Sequence, residues 1–462
     1  MFFSELSNIL DGLSLPGSRR PPAADAGVSG GTVDSRRVLP GMLFCAIRGA
    51  RTDGNRFIDS AIANGAAAIL TDCPDAAVPS PVPVLRVRPG CGYQAVARVA
   101  EALSGHPARS LRLIGITGTC GKTTTAYLLR DILRGAGLRT GMIGTVVYDD
   151  GECEMPADRT TPTPFELQDI LVRMVRNGVQ FAVMEVSSAA LDQERTGTAK
   201  FDAAAFTNFS RDHLDYHGTM EAYFECKCRL FTRFLKPGAP AIINQDDEHG
   251  RRLLAQLPGA IGFSLKSHGC SWPTPLPGIF NAYNAQCAGM TARALGVDDA
   301  SIAAALAHAA GAPGRLERVS CGNGVTAFVD YAHTPEEIAN ALSALRPLCA
   351  GRLGIVFGCG GDRDRGKRPQ MGAAASAADC VWVTSDNPRT EDPGAIIAEI
   401  LPAIPPEKLC AAEADRRKAI HDAVAAMRPG DFLLVAGKGH EDYQEVNGRH
   451  LHFSDREILQ ES

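Results

Sequence analysis

Seven consecutive residues, Gly118, Thr119, Cys120, Gly121, Lys122, Thr123 and Thr124, combine two glycines, a lysine and adjacent hydroxyls, the composition of a phosphate-binding turn. A short apolar strand, Leu111 to Ile116, is expected to feed it. Beyond it Leu128, Leu129, Ile132 and Leu133 recur on one helical face until Gly135 and Gly137 end the pattern. In a strand, glycine turn and helix of this kind, backbone N–H groups and the positive helix end face a triphosphate. Lys122 would add a point charge, and the Thr123 hydroxyl could ligate Mg²⁺. The strict G-x-x-x-x-G-K-[ST] spacing is missed by one position, because Ile116 stands where its first glycine belongs. A chance turn is the alternative, disfavoured by the strand before and the helix after.

Three segments would position this loop. The first, residues 1–107, holds a strand at Met42 to Ile47, an Ala-rich helix from about Phe57 and a strand at Ala67 to Thr71. The second, residues 108–312, adds strands at Phe181 to Val186, Ala203 to Phe206 and Ala241 to Asn244, with helical stretches between them. A turn cluster, Gly311 to Gly314, suits a linker. In the third, residues 313–462, strands are expected at Thr326 to Asp330, Gly354 to Gly358, Cys380 to Thr384 and Phe432 to Ala436, with helices at Pro335 to Leu345 and Ala395 to Leu401. Strands alternating with helices indicate α/β domains built on mostly parallel sheets. There is no internal repeat, and the only biased stretch is the Pro/Ala-rich Pro21 to Ala26.

Composition narrows the function. A chain of 462 residues suggests roughly three domains at about 150 residues each. Hydrophobic content of 45% and charged content of 21% are ordinary for globular domains. A formal net charge of −5 gives no bulk attraction for nucleic acid, so no nucleic-acid partner is expected. No run of about 18 apolar residues exists, and Met1 to Pro22 lacks a signal-peptide layout, so a cytoplasmic protein without membrane association is expected. The 14 cysteines include no C-x-x-C pair; the Cys226 and Cys228 spacing does not suit structural zinc, and reduced, mostly buried thiols are expected.

Two further motifs set the loop in context: Met184-Glu185-Val186-Ser187-Ser188, with its glutamate ending a strand, and Ser210-Arg211-Asp212-His213-Leu214-Asp215-Tyr216-His217-Gly218. Together with Thr117 to Thr125 they resemble the Mur ligases, the amino-acid-adding enzymes of peptidoglycan synthesis, and within that family the branch that adds the third residue. The resemblance runs from Val33-Asp34-Ser35-Arg36 to Gly437-Lys438-Gly439-His440-Glu441-Asp442-Tyr443, with the motifs in family order.

The resemblance implies three domains: an N-terminal one for the UDP-sugar, a central ATPase and a C-terminal Rossmann-like one. It implies phosphorylation of the substrate's D-Glu carboxylate by ATP, then attack of the incoming amine on the acyl phosphate. Such chemistry needs charge neutralisation at the γ-phosphate more than a nucleophilic side chain. The resemblance implies two Mg²⁺ ions: Thr123 and Glu185 would hold Mg²⁺, His213 would be a ligand of the second ion, and Lys227, the family's N-carboxylated lysine, would be a further metal ligand. A carbamate formed with CO₂ offers oxygens that an ammonium lacks. Lys122, Glu185, His213 and Lys227 would therefore carry the reaction, while His217 and His249 are left as solvent or structural histidines. Asn281, Asn284, Arg315 and Asp330 match ATP-contacting positions, although each could equally be a turn or capping residue. ATP contacts on both sides of the linker imply domain closure.

The UDP-N-acetylmuramoyl dipeptide would meet Ser35, Ala50, Arg51, Thr52, Thr160, Thr161, Ser187, Gln193 and Arg195. Asp386, Asn387, Pro388 and Arg389 form the box that in this family accompanies meso-diaminopimelate, with Arg363, Gly437 and Glu441 completing that site. A guanidinium can clamp the second carboxylate that distinguishes diaminopimelate from lysine, and Glu441 would meet the distal ammonium. Arg365, Lys367 and Arg368 fit a solvated loop equally well. Ligation of lysine, a non-catalytic nucleotide-binding scaffold and a folate-polyglutamate ligase are the competing functions; a monomer is expected. Three departures stand out: Cys120 where the family usually has Asn, Ala189 where a His commonly follows, and a short link from Gly262 to Leu276 where family members usually place several strands.

Overall fold

The computed structural model describes residues 1–15, 25–49, 52–321 and 324–462, and among them the chain forms two compact units. One comprises Met1–Gly269 with Gln286–Ile302, the other Cys270–Ala285 with Ala303–Ser462. The division thus runs through the helix Ile279–Ala294 rather than at residue 313, and it places residues 270–285 and 303–312 with the C-terminal segment.

The first unit contains two sheets. Strands β1 (Gly30–Thr32), β2 (Met42–Ala46), β3 (Ala68–Thr71) and β4 (Val84–Arg86) lie in that order, all parallel. Every residue of β3 is buried, which is why Ala68 to Leu70 reads as an unbroken apolar run. The larger sheet comprises β5 (Arg112–Thr117), β6 (Thr140–Ile143), β7 (Val147–Asp149), β8 (Glu154–Pro156), β9 (Phe181–Glu185), β10 (Ala203–Phe206), β11 (Ala241–Asn244) and β12 (Ile261–Phe263). Its order is β12-β11-β10-β5-β9-β6-β7-β8, with parallel pairings except those of β7, which runs antiparallel to both β6 and β8. The two sheets are joined by buried Glu101, which accepts bonds from the Thr198 amide (2.9 Å) and hydroxyl (2.7 Å), and by Phe165, packed against the N-terminal core.

The second unit holds β13 (Glu317–Ser320), β14 (Thr326–Asp330), β15 (Leu353–Phe357), β16 (Cys380–Thr384), β17 (Leu409–Glu413) and β18 (Phe432–Ala436), ordered β13-β14-β18-β15-β16-β17. Only β13 is antiparallel to its neighbour. A separate hairpin, β19 (Tyr443–Val446) and β20 (Arg449–His452), follows. Between β12 and the helix Ile279–Ala294 lies one short helix, Leu265–His268, and no strand.

The topology explains where chemistry can occur. β5 lies in the middle of its sheet between β10 and β9, with Ile116 opposite Glu185 and Thr117 opposite Phe206. The glycine loop therefore leaves the carboxyl end of a central parallel strand, where the ends of β9 and β10 flank it.

Candidate active site

The loop is built as its composition implies. Gly121 caps the helix Lys122–Gly135 with φ of 83°, a left-handed conformation that a side chain would disfavour. The amide of Cys120 donates to Asn208 Oδ1 at 2.9 Å, and Thr119 donates its amide to the Asn208 carbonyl at 2.9 Å. Thr207 Oγ1 donates to the Cys120 carbonyl at 2.6 Å. The loop's shape is thus fixed from β10 through Thr207 and Asn208, not by the Cys120 side chain, which is exposed. Lys122 folds back so that Nζ donates to the carbonyls of Gly118 (3.0 Å) and Thr119 (2.8 Å).

Beside the loop, Glu185 ends β9 with no exposed surface. Its carboxylate accepts from Thr123 Oγ1 (2.9 Å), Thr145 Oγ1 (3.1 Å) and the Thr145 amide (2.8 Å), and no cationic side chain pairs with it among the described residues. A buried carboxylate ringed by hydroxyls and lacking a counter-charge is a hard-oxygen donor set suited to Mg²⁺. Among the described residues, no three His, Cys, Asp or Glu side chains cluster as a ready-made metal nest. Thr145 escaped the sequence reading; its only signal is a Gly-Thr step after a short strand.

Lys227 lies on the helix Met220–Arg229 and is 1% exposed. Its Nζ donates to the Gly118 carbonyl at 2.6 Å and sits 4.6 Å from the centre of the Tyr223 ring. Burial first, and the charge of Lys122 second, hold its pKa well below the ordinary lysine value, so it favours the neutral amine. Lys227 is therefore not a solvated surface lysine. His213, at φ of 51°, starts the short helix Leu214–His217; its half-exposed imidazole meets the Tyr223 ring edge-on, 5.8 Å between centres. Burial depresses its pKa, with Asp212 opposing, and so favours the neutral ring that a metal ligand requires.

Tyr223 organises this corner: its hydroxyl is 3.3 Å from Thr119 Oγ1, and His217 stacks on its ring at 5.1 Å. His217 Nε2 also lies 2.9 Å from Ser188 Oγ, and the His249 ring lies 4.4 Å from that of Phe209, so both are structural histidines.

The residues matched to the nucleotide sugar fall into two groups. Thr160, Thr161, Ser187, Gln193 and Arg195 gather beyond the end of β9. Thr160 Oγ1 lies 3.1 Å from Thr145 Oγ1, Thr161 Oγ1 donates to the Glu185 carbonyl at 2.9 Å, and the Ser187 amide donates to Thr161 Oγ1 at 3.1 Å. Arg195 Nη1 donates to the Thr161 carbonyl at 2.7 Å while its Nε holds Gln193 Oε1 at 2.9 Å. Ser35 begins a short 3₁₀ helix, Ser35–Arg37, and is buried, whereas Thr52 is exposed in a loop after β2. Ala50 and Arg51 lie outside the described residues.

In the second unit the box beyond β16 is tightly built. Asp386 and Asn387 are buried, and Gly437 (φ of 116°) brings the end of β18 so close to the Asp386 carboxylate that a Cβ would collide with it. Asn387 Nδ2 donates to Glu441 Oε2 at 2.8 Å, and the fully buried Lys438 donates to both Asn387 Oδ1 and Glu441 Oε2 at 3.2 Å. Lys438 was not singled out from the sequence. Pro388 accepts from the Glu391 amide at 3.0 Å, and Arg389 follows with φ of 53°. Arg363 is exposed, while Arg368 is fully buried between Glu391 (2.8 Å) and Glu399 (2.8 Å), which excludes the solvated-loop role for it.

Of the positions matched to ATP in this unit, Asn281, Asn284 and Asp330 make local bonds, while Arg315 Nε is buried without a hydrogen-bond partner among the described residues. Asn281 donates to the Pro277 carbonyl at 2.8 Å and accepts from Asn284 at 3.2 Å. Asp330 accepts the amides of Leu316 and Ala332, both at 2.7 Å, and burial raises its pKa against the pull of Arg315. The Arg315 guanidinium lies 4.9 Å from the Tyr331 ring centre.

With this geometry in place, similarity becomes informative. Models of the Mur ligase family match residues 28–106 (catalytic domain), 116–272 (middle domain) and 314–439 (glutamate ligase domain). A UDP-N-acetylmuramoyl-L-alanyl-D-glutamate--2,6-diaminopimelate ligase of Gloeobacter violaceus is 43% identical over 95% of this chain and 94% of its own. The chain belongs to the Mur ligase family. A ligase of the same name from Aquifex aeolicus is 41% identical over 94% of this chain and 93% of its own. A solved structure of such a ligase superimposes with a TM-score of 0.65 at 32% identity, covering 99% of this chain and 98% of its own. The three-domain α/β fold of Mur ligases is thus that of this chain. A folylpolyglutamate synthase of Mycobacterium tuberculosis, complexed with ADP, shares the fold at 22% identity and a TM-score of 0.61, over 74% of this chain and 92% of its own.

Proposed function

We propose that this chain is the ATP-dependent ligase that joins meso-2,6-diaminopimelate to UDP-N-acetylmuramoyl-L-alanyl-D-glutamate in peptidoglycan precursor synthesis. One arrangement carries the reading: a buried, uncompensated Glu185 carboxylate on the Thr123 hydroxyl, beside a glycine loop whose Gly118 carbonyl holds the buried Lys227 amine.

Bound ATP would draw Lys122 away from its loop carbonyls onto the phosphates, with the loop amides and the helix end oriented toward them. Thr123 and Glu185 would hold one Mg²⁺ and His213, with a carbamate on Lys227, would serve a second, which would supply charge neutralisation at the phosphates. The D-Glu carboxylate attacks the γ-phosphorus, giving an acyl phosphate and ADP. The neutral amine of diaminopimelate then attacks the acyl carbon, phosphate departs with the bonding pair, and the amine's proton is lost to solvent. Thr160, Thr161, Ser187, Gln193 and Arg195 would orient the muramoyl dipeptide, with Ser35, Thr52, Ala50 and Arg51 on its nucleotide-sugar end. Arg389 and Arg363 would bind the amino acid's carboxylates and Glu441 its distal ammonium.

Lys227 fits the role of a carbamylated lysine for a chemical reason. Only a neutral amine adds CO₂, forming a carbamate and releasing one proton, and this site favours the neutral amine. Among the described residues no helix is long and apolar enough to cross a membrane, and we read the enzyme as a cytoplasmic monomer. The test is phosphate release by the purified protein, expected only when ATP, Mg²⁺, the muramoyl dipeptide and diaminopimelate are all present. Release independent of the amino acid would sink the proposal.

A further inference from the structure

Arg389 is held by the β19–β20 hairpin on both its backbone and its side chain. Its amide donates to the Glu445 carbonyl at 3.0 Å, and its carbonyl accepts from Asn447 at 2.8 Å, flanking a parallel bridge to Val446. The guanidinium is fixed on two sides: Nε pairs with Glu445 Oε2 at 3.0 Å, and Nη1 donates to the Gly361 carbonyl at 2.8 Å. Glu445 is tied to the same box, since its amide donates to Asn387 Oδ1 at 2.9 Å.

A guanidinium carries five N–H donors in a rigid plane, so pinning Nε and one Nη1 hydrogen fixes that plane and leaves the remaining terminal N–H groups for a ligand carboxylate. We infer that Glu445 is a positioning residue for amino-acid selection: by holding Arg389 at Nε it presents the guanidinium to the second carboxylate of the incoming diamino acid. The inference rests on the reading of Arg389 as the carboxylate clamp. Side-chain exposures of 22% for Arg389 and 28% for Glu445 leave the pair open to solvent, so the effect is modest and bears on substrate affinity rather than on folding.

The test is steady-state kinetics of the full-length enzyme with meso-diaminopimelate as the varied substrate. Glu445→Ala is expected to raise KM for the amino acid about tenfold, the size of one loosened charge-assisted hydrogen bond, with kcat and the KM for ATP nearly unchanged. Glu445→Gln, whose amide oxygen still accepts from Nε, should restore most of the affinity. Arg389→Met should raise KM further, and adding Glu445→Ala to it should have no additional effect. Should Ala loosen the hairpin, judged by melting, Glu445→Thr removes the carboxylate while keeping a strand-forming residue. An unchanged or lowered KM in Glu445→Ala, beside a raised one in Arg389→Met, overturns the inference, as does full additivity in the double variant. If Arg389→Met leaves KM unchanged, the clamp reading falls and takes the inference with it.

Discussion

The buried amine of Lys227 makes a prediction about stability that needs no substrate. The unfolded chain protonates this lysine at its ordinary pKa, while burial and Lys122 hold the folded value well below it. Between the two values the unfolded state binds one more proton than the folded one. Stability must therefore rise with pH across that window and level off above the unfolded pKa, with a slope of at most about 1.4 kcal/mol per pH unit. Lys227→Met keeps the aliphatic stem and removes the titration. It also removes the 2.6 Å bond to the Gly118 carbonyl, but that oxygen keeps Lys122 Nζ at 3.0 Å, so the lost bond costs about 1 kcal/mol or less. Urea unfolding of both proteins in CO₂-depleted buffer, from roughly pH 7 to 9.5, reads the difference directly. Native stability should gain on the variant as pH rises. A difference that stays flat or falls would refute the neutral amine and remove the chemical basis for a carbamate at this site. Bicarbonate at mildly alkaline pH should then raise the melting temperature of the native protein and leave Lys227→Met unchanged, because a ligand of the folded state stabilises by mass action.

Other expectations follow from the same geometry. Glu185→Gln, nearly isosteric, should lower kcat by about a hundredfold or more with little change in melting temperature, measured by phosphate release and thermal unfolding. Cys120 is exposed in the loop, so a maleimide should inactivate the enzyme, ATP should slow the inactivation, and Cys120→Ala should be active and resistant; an ATP-indifferent rate would contradict the loop's role. His440 is pushed down to about 4, by burial first and then by Arg315, so it folds neutral and must be protonated on unfolding in acid. Its contribution to stability is present above the ordinary histidine pKa and is lost as pH falls toward 4, and His440→Gln should flatten that part of the acid-unfolding curve.

How much of this was legible depended on periodicity and on packing. Ala203–Phe206, Thr326–Asp330, Cys380–Thr384 and Phe432–Ala436 appear at the expected bounds because they are central or near-central strands buried on both faces, written as apolar runs. The three-residue strands β1, β4, β7, β8 and β12 are too short to leave a pattern, and the half-buried β19 and exposed β20 show no apolar alternation. In the site, the glycine loop, Glu185 and the Asp386 to Arg389 box were readable from local spacing and the family resemblance. Thr145, Asn208, Tyr223 and Lys438 were not, because what each does depends on partners far along the chain or on burial that its own neighbours do not announce. Arg368 makes the same point in reverse: in sequence it sits in a basic run, while in the fold its charge is buried and met by Glu391 and Glu399.

The central claim concerns which amine is joined. The most direct measurement incubates the purified protein with ATP, Mg²⁺, bicarbonate and UDP-N-acetylmuramoyl-L-alanyl-D-glutamate, offers meso-diaminopimelate and L-lysine at equal concentration, and weighs the products by mass spectrometry. A tripeptide carrying diaminopimelate should dominate, and Arg389→Met should narrow that preference. A lysine-containing product of equal or greater yield, or no tripeptide with diaminopimelate, would contradict the account.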